Sequence, residues 1–233
     1  VVSLGDASGF VLFIIPSMLV SLAFAPILLS VQPTPANETT RRMRLRDLID
    51  ASPLAAVGMV CLGGIFAAMF GMVAVYGAEA GLGAGQISLL VSVIFIGSLV
   101  AQFPIGWLSD RMDRRILIIT CAGVGGLGAI IAAAFGANYA ALLVGAALVG
   151  GMANPLYSLL LAYANDFLDH GDMASASAGF IFINGIGAIF GPIVMGFTMG
   201  RFGAFALWVI VGLLMLGLAG YGLLRILQRP SDF

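Results

Sequence analysis

Long uninterrupted runs of apolar residues dominate the chain, and short polar connections separate them. A helix needs about 20 apolar residues to cross the hydrocarbon core of a bilayer, and seven runs reach that length. Strands in lipid would leave backbone N–H and C=O groups without partners, so each run is predicted to be a helix. The predicted spans are residues 9–31, 53–76, 86–108, 116–136, 139–165, 173–199 and 204–227. The pattern therefore predicts an all-α membrane protein with seven transmembrane helices.

One polar connection is much longer than the others, and it separates the first apolar run from the remaining six. Residues 32–52 contain two prolines and four arginines, which is typical of a linker, and their end, LRDLIDAS, predicts a short interfacial helix. The chain then divides into one helix (1–31), a cytoplasmic linker (32–52) and a six-helix bundle (53–233). We expect the first helix to be the last of a preceding bundle, and the chain to be part of a longer protein.

Composition and charge agree with lipid as the main solvent. Hydrophobic residues make up 61% of the chain, charged residues make up 9%, and the mean hydropathy is +1.11. A soluble domain of this length could not bury so much apolar surface in one core. The net charge of -1 gives no reason to expect nucleic acid as a partner. Cys61 and Cys121 lie in apolar runs and the chain has a single histidine, so we expect no metal site and no cofactor.

The distribution of arginine predicts the orientation of the helices. All ten basic residues are arginines, and nine of them lie in or beside the connections 32–52, 109–115 and 228 onward. The tenth, Arg201, lies at the opposite ends of the helices. Because cytoplasmic loops retain positive charge, we expect the first helix to start outside and the C-terminus to be cytoplasmic. The expected location is the plasma membrane, here a bacterial inner membrane. The acidic connection 166–172 is an exception to this pattern.

A dense group of charges interrupts the apolar pattern at GWLSDRMDRR, residues 106–115. Five charged residues fall within six consecutive positions there. The stretch resembles the loop signature G-x-L-x-D-R-x-G-R-R/K of the major facilitator superfamily, with Asp113 in place of the second glycine. The residues that carry the resemblance are Gly106, Leu108, Asp110, Arg111, Arg114 and Arg115.

The position of the signature indicates which part of such a protein the chain resembles. In that family the signature lies between helices 2 and 3 and recurs between helices 8 and 9. Two predicted spans lie between the linker and the signature, so the chain resembles helices 6 to 12 of a twelve-helix member. The segment GAIFGPIVMG, residues 187–196, is similar to the Gly-Pro motif of the family. The resemblance implies a secondary active transporter that moves a small solute, sugar-like or drug-like, by alternating access. The implied partners are the lipid bilayer, the small-molecule substrate and the N-terminal bundle of the same transporter.

The resemblance also implies that the signature loop is a gate. Asp110 is predicted to close its helix at the C-terminal end, where the helix dipole disfavours a carboxylate. In the family this aspartate faces the N-terminus of a helix in the opposite bundle, while the arginines, here Arg111, Arg114 and Arg115, pair with nearby acids. Gly106 would allow a close approach of the two helices. The alternative is a loop that only anchors the helices on the cytoplasmic side, its acids neutralising its arginines.

Polar residues on one face of a membrane helix are expected to point away from lipid. Such stripes lie on the third, fifth and sixth predicted spans, which resemble helices 8, 10 and 11 of the family. The candidate substrate contacts are Asn154, Tyr157, Asn184, Ser92 and Gln102. An asparagine in such a place can equally join two helices, so both roles stay open for Asn154 and Asn184.

Small residues and a weak repeat predict how some of the helices pack. Gly187 and Gly191 form a GxxxG pair beside Pro192, which favours close helix packing. A shift of 90 residues aligns the third span with the sixth. It pairs Ile96 with Ile186, Gly97 with Gly187, Gly106 with Gly196 and Arg111 with Arg201. Because three helices separate the two spans, the copies would run in opposite directions, as in the inverted repeats of secondary transporters.

Other classes of membrane protein fit the sequence less well. A seven-helix receptor-like protein, or a structural membrane protein without transport activity, would match the number of spans. The long linker and the loop signature fit a receptor poorly, and retinal attachment needs a lysine, which the sequence lacks. An enzyme is not expected, because the sequence contains no HExxH motif and no Ser/His/Asp set. No charged residue lies in the middle of a predicted span, so no proton relay is predicted in this part of the protein.

Overall fold

The structure, a computed structural model, describes residues 10–29, 44–169 and 171–228. Within these ranges the regular elements are all helices, which confirms the predicted all-α class. The helices are α1 (Val11–Leu29), α2 (Leu45–Ala51), α3 (Pro53–Ala67), α4 (Val73–Glu79), α5 (Ala84–Ser109), α6 (Arg114–Phe135), α7 (Tyr139–Asn165), α8 (Met173–Phe202) and α9 (Ala206–Gln228). A π-helical turn, Ala68–Met72, joins α3 to α4.

Six stretches in the described ranges are long and apolar enough to cross a membrane. α3, the π-helical turn and α4 together form the first of them, and α5 to α9 form the other five. The run predicted at 9–31 is helical from Val11 to Leu29, with two prolines inside the helix, but it is not among the six. Its role as a seventh span stays a prediction.

The chain separates into two compact units, Val1–Thr39 and Thr40–Phe233. α1 belongs to the first unit, and all the later helices belong to the second. The division falls inside the predicted linker 32–52, most of which lies outside the described residues. The assignment of α1 to a preceding bundle, of 32–52 to a linker and of 53–233 to a complete six-helix bundle stays a prediction.

The short helix α2 packs against α8. Leu48 is its buried residue, whereas Leu45 and Ile49 are exposed, as the predicted interfacial helix requires. The contact depends on Gly179, since a Cβ there would lie 2.7 Å from a methyl carbon of Leu48. α3 then begins at Pro53, because proline is favoured in the first turn of a helix.

The six spans of the second unit form an arc. α5 packs on α7, α7 on α6, α6 on α9, α9 on α3 and α3 on α8. α3 also contacts α7, so these two helices form the middle of the arc, with α6 and α9 packed behind them. α5 and α8 stand at its two ends and are the least buried of the spans. We call the space between α5 and α8, backed by α3 and α7, the groove.

Glycines bring α5 and α7 into direct backbone contact. A Cβ on Gly97 would overlap the carbonyl oxygen of Ala147, and a Cβ on Gly150 would overlap the carbonyl oxygen of Ile94. On each helix the glycine and the carbonyl that its partner glycine contacts are three residues apart. Only a residue without a side chain allows two membrane helices to pack this closely.

The same arrangement joins α8 to α3. A Cβ on Gly187 would overlap the carbonyl oxygen of Val60, and a Cβ on Gly63 would overlap the carbonyl oxygen of Asn184. Gly191 continues the contact one turn later, since a Cβ added there would lie 2.9 Å from the Cα of Gly64. The predicted packing residues Gly187 and Gly191 therefore face α3. Pro192, which follows them, lies inside α8 and does not end the helix.

Candidate functional site

The signature loop is a tight connection between α5 and α6. Asp110 caps the C-terminus of α5, and Asp113 caps the N-terminus of α6. The Asp113 side chain accepts a hydrogen bond from the backbone N–H of Arg115 at 2.8 Å, which is the usual role of an N-cap aspartate. Its φ is -59°, so this position does not need the conformational freedom of glycine. An aspartate can therefore replace the second glycine of the signature.

Asp110 is exposed at the end of α5. Its carboxylate has no hydrogen bond or ion pair within the described part of the chain. The last backbone carbonyls of α5 make this position unfavourable for a negative charge. The carboxylate is thus placed to accept hydrogen bonds from a group outside these helices. Its predicted role in gating stays a prediction.

Arg111 and Arg114 have different partners, although both were predicted to pair with acids. Arg111 folds back on its own helix, where its Nη1 donates to the Trp107 carbonyl at 3.2 Å and its Cζ lies 4.1 Å from the centre of the Trp107 ring. Arg114 forms a salt bridge with Asp166 at the C-terminus of α7. The acidic connection after α7 therefore supplies the partner of an arginine in the signature loop. Both side chains are partly exposed, so the pair contributes about 1 kcal/mol or less.

Arg115 contacts α7 about one turn before Asp166, the partner of Arg114. Its guanidinium carbon is 5.7 Å from the ring centre of Tyr163, within the range of a cation–π contact. Tyr163 in turn packs edge to face on Phe167, with ring centres 5.0 Å apart. The two adjacent arginines at the start of α6 thus both contact the end of α7.

A cavity of about 360 Å³ with a mixed polar and apolar lining lies at the signature loop, between α5 and α7. Five of its lining residues matter here: Gln102, Gly106, Asp110, Arg114 and Ser158. The structure thus brings the predicted substrate contact Gln102 to the same cavity as three residues of the predicted gate. A Cβ on Gly106 would meet no atom within 4 Å, so this glycine is not needed for packing inside the described bundle.

The two candidate asparagines form hydrogen bonds between helices. Asn154 Nδ2 on α7 donates to Ser98 Oγ on α5. Asn184 Nδ2 on α8 donates to the Met59 carbonyl on α3 at 3.0 Å. Each of the two glycine-packed helix pairs therefore carries one amide hydrogen bond. This favours the joining role that the sequence left open, while contact with a substrate stays a prediction for both residues.

The other three candidate contacts lie on α5 and α7, two of the helices that border the groove. Ser92 is exposed, and its hydroxyl donates to the Ser88 carbonyl one turn earlier at 2.7 Å. Gln102 is exposed at the cavity under the loop. Tyr157 is half-buried on α7, near the middle of its span.

An aromatic cluster, which the sequence analysis did not predict, joins α3 and the π-helical turn to α5 and α7. Its members are Phe66, Phe70, Phe95 and Tyr157. The ring centres are 5.6 Å apart for Phe66 and Phe70, 5.6 Å for Phe70 and Phe95, and 6.0 Å for Phe66 and Tyr157. Phe70 lies in the π-helical turn and is 58% exposed. Turns of this kind often occur at functional sites, because they redirect the side chains that follow.

One signal in the sequence could have identified part of this cluster. Phe95 lies between Ser92 and Gln102 on the same helical stripe, at spacings of three and seven residues. Phe95 is not found when only polar residues are considered. Phe66 and Phe70 could not be assigned in this way, because the extra residue of the π-helical turn changes the helical phase between α3 and α4.

The described residues contain no group of three or more His, Cys, Asp or Glu side chains placed to hold a metal ion. Cys121 is buried, Cys61 is partly buried, and neither forms a disulfide. The chemistry of the site therefore comes from amides, hydroxyls, aromatic rings and the charged loop.

Comparison with known proteins places this geometry in a family. A family model described as "Major Facilitator Superfamily" matches residues 54–232. The uncharacterized MFS-type transporter YfkF of Bacillus subtilis is 27% identical over 169 residues, which is 71% of this chain and 41% of YfkF. The uncharacterized MFS-type transporter YcaD of Escherichia coli is 22% identical over 176 residues, which is 76% of this chain and 44% of YcaD.

A solved structure shares the fold. An auto-inhibited peptide transporter of the POT family superimposes with a TM-score of 0.66 at 19% identity, covering 79% of this chain and 38% of that chain. The present chain thus spans less than half the length of the relatives it matches.

Proposed function

The chain belongs to the major facilitator superfamily, and on this premise we propose that it is the C-terminal part of a secondary active transporter. In this proposal α1 is the last helix of an N-terminal bundle, and α3 to α9 form the C-terminal bundle. The missing bundle closes the groove and completes a central pathway. A small solute then crosses the membrane by alternating access, as the two bundles open to one side and then to the other.

The groove is the observation that carries this proposal. One face of α5 exposes polar and aromatic side chains together with Leu99, whereas a surface that meets only lipid is largely apolar. Phe95 and Gln102, seven residues apart, share this face on α5, while the exposed residue Val100 lies on the opposite side of the same helix. A helix with two distinct exposed faces has two distinct neighbours, and lipid accounts for only one of them.

We propose that the loop end of the bundle carries the gate. Asp110 has no partner in the described part of the chain, and its cavity is shared with Arg114 and Gln102. An N-terminus of a helix in the opposite bundle would supply backbone N–H donors and a favourable dipole. While this contact is formed, the pathway is closed at the loop end. When the contact breaks, the two bundles can separate there. The loop end lies in the cytoplasm, and the membrane is the bacterial inner membrane.

The groove also suggests the chemistry of the solute. The aromatic cluster offers a flat apolar wall, and Asn154, Asn184 and Gln102 offer amide groups at its edges. No charged side chain lies in the middle of a span to balance a charge on the solute. A largely uncharged amphipathic molecule with a planar or apolar face fits this surface, a drug-like compound better than an inorganic ion. Aromatic faces also bind organic cations, so a weakly cationic amphiphile belongs to the same class.

The orientation of the α5 faces gives a direct test of the proposal. In the full-length protein with Cys61 and Cys121 replaced by alanine, single cysteines are placed at Gln102 and at Val100. The cysteine at Gln102 should react with a membrane-impermeant thiol reagent added on the cytoplasmic side, and solute should change its rate. The cysteine at Val100, two residues away, should stay unreactive because lipid covers it. Equal reactivity at both positions would refute a water-filled pathway along this face.

A further inference from the structure

Contacts between glycines and neighbouring backbones divide the six spans into two groups of helices. α5 is held to α7 in this way, and α3 is held to α8. α6 joins the first pair, because a Cβ on Gly145 of α7 would clash with the carbonyl oxygen of Gly128 on α6, and a Cβ on Gly128 would lie 2.8 Å from the carbonyl oxygen of Gly145. Helices in such contact cannot slide past each other without a backbone clash. We call α5, α6 and α7 the first body, and α3 with α8 the second body.

The two bodies meet through flexible side chains. Where α3 meets α7, a Cβ on Gly58 would contact the end of the Leu160 side chain and not the backbone of α7. α9 contacts α3 in the same way, with Gly64 facing a methyl carbon of Leu214. The end of a leucine side chain can move to another staggered rotamer, whereas a backbone carbonyl in a helix stays in place. The boundary between the two bodies is therefore easier to deform than the contacts inside each body.

The first long span crosses this boundary at the π-helical turn Ala68–Met72. Before the turn, α3 packs on α8 up to its last residue, since a Cβ on Gly191 would lie 3.4 Å from the Cβ of Ala67. After the turn, α4 packs on α5, with Gly77 against the side chain of Ile87. The span thus belongs to the second body before the turn and contacts the first body after it.

The local structure of the turn allows the span to bend there. A π-helical turn has i→i+5 hydrogen bonds in place of the i→i+4 pattern, and sharp bends of helices occur at such turns. Gly71 lies in the turn and is exposed, and a Cβ on it would meet no atom within 4 Å, so no neighbouring helix braces this side of the turn. We propose that residues 68–72 are a hinge inside the bundle, about which the body of α3 and α8 moves relative to the body of α5, α6 and α7.

The aromatic cluster spans the same boundary. Phe66 of the second body contacts Tyr157 of the first body, and Phe70 in the hinge contacts Phe95 of the first body. A solute that stacks on the cluster contacts both bodies and the hinge, so it holds the hinge in one position. This role for solute rests on the proposed function, whereas the hinge itself does not.

Spin-label distances in the purified full-length protein, without solute and with its native cysteines replaced by alanine, test the hinge. One pair of labels, at Gly85→Cys on α5 and Gly200→Cys on α8, lies across the hinge at the end of the bundle opposite the signature loop. A Cβ at either position meets no atom within 4 Å, so the labels do not disturb the packing. The control pair lies within the first body, at Gly85→Cys and at Ala134→Cys, an exposed position on α6. We expect the distance distribution across the hinge to be about twice as wide as that of the control pair or wider. Equal widths would overturn the hinge.

Two variants of Gly71 separate bending at the turn from motion of the labels. Deletion of Gly71 removes the extra residue of the turn, so that α3 and α4 form one continuous α-helix, and the distribution across the hinge should narrow to the width of the control pair. Gly71→Ala keeps the turn and should leave the width unchanged, because its methyl group meets no neighbour.

A deletion variant that keeps the full width contradicts the proposal, and so does equal narrowing in Gly71→Ala, which would assign the motion to the glycine and not to the turn. Thermal unfolding shows whether each variant is folded. If the deletion variant is not, the comparison of the two label pairs in the unmodified protein decides. Transport is not measured, so failure of the hinge and failure of the proposed function are distinguishable.

Discussion

Gly97 of α5 lies directly against the backbone carbonyl of Ala147 on α7, and Gly187 of α8 makes the equivalent contact with Val60 on α3. The two glycines are the positions that a shift of 90 residues aligns in the sequence. The weak repeat therefore corresponds to two helix crossings with the same reciprocal glycine contacts. Since neither pair can slide without a backbone clash, each pair is expected to move as one unit when the bundle moves.

Substitution of these glycines should destabilise the protein. Gly97→Ala and Gly187→Ala each place a methyl group on a carbonyl oxygen, which forces the helices apart and costs about 1–3 kcal/mol. Thermal unfolding of the purified protein measures the loss. Gly123→Ala on α6 and Gly217→Ala on α9 are matched controls, because a Cβ at either position meets no atom within 4 Å. If the control variants lost as much stability as the crossing variants, the crossings would not be the cause.

Removal of the Asp110 charge should shift the balance between the two states of the transporter. If Asp110 makes the proposed charge-assisted contact with the opposite bundle, Asp110→Asn removes about 1.5–3 kcal/mol of it, so the population open at the loop end should rise roughly tenfold or more. Electron spin resonance distances between a label at Met112 and a label on the N-terminal bundle report this population. Asp169→Asn removes an exposed acid at the same end of the bundle and serves as the control. Unchanged distance distributions in Asp110→Asn would leave only the anchoring role for the loop.

Loss of one ring from the aromatic cluster should weaken solute binding more than it weakens the fold. Phe70 is 58% exposed, so Phe70→Ala creates little cavity in the core, while an aromatic contact is worth about 0.5–1.5 kcal/mol. The KM of a solute found by uptake screening should rise about two- to tenfold. Phe135→Ala is the control, since Phe135 is 61% exposed at the end of α6, which does not border the groove. An equal effect of both substitutions on KM would show that the cluster does not contact solute.

Much of the architecture could be predicted from the apolar runs. The runs at 116–136 and 139–165 correspond to α6 (Arg114–Phe135) and α7 (Tyr139–Asn165) within two residues. This works because a membrane helix satisfies its own backbone hydrogen bonds, so its existence depends on local sequence alone. The charged loop was predicted for the same reason, since a cluster of charges cannot remain in lipid.

The partners of the charged and polar side chains could not be predicted. Arg114 binds Asp166, which is 52 residues away along the chain, and Asn154 binds Ser98, which is 56 residues away. Each contact depends on how two helices are rotated about their axes. Periodicity shows that a helix has a polar face, but it does not show which helix lies against that face.

The sequence by itself determined the helical class, the positions of six apolar spans and the charged turn between α5 and α6, because length, hydropathy and charge act locally along a chain in lipid. Only the tertiary structure decided that glycines join α5 to α7 and α8 to α3, that a π-helical turn places Phe70 between Phe66 and Phe95, and that Arg114 and Arg115 both contact the end of α7. These features depend on helix rotation and phase. Both are set by packing between segments that are distant in the sequence.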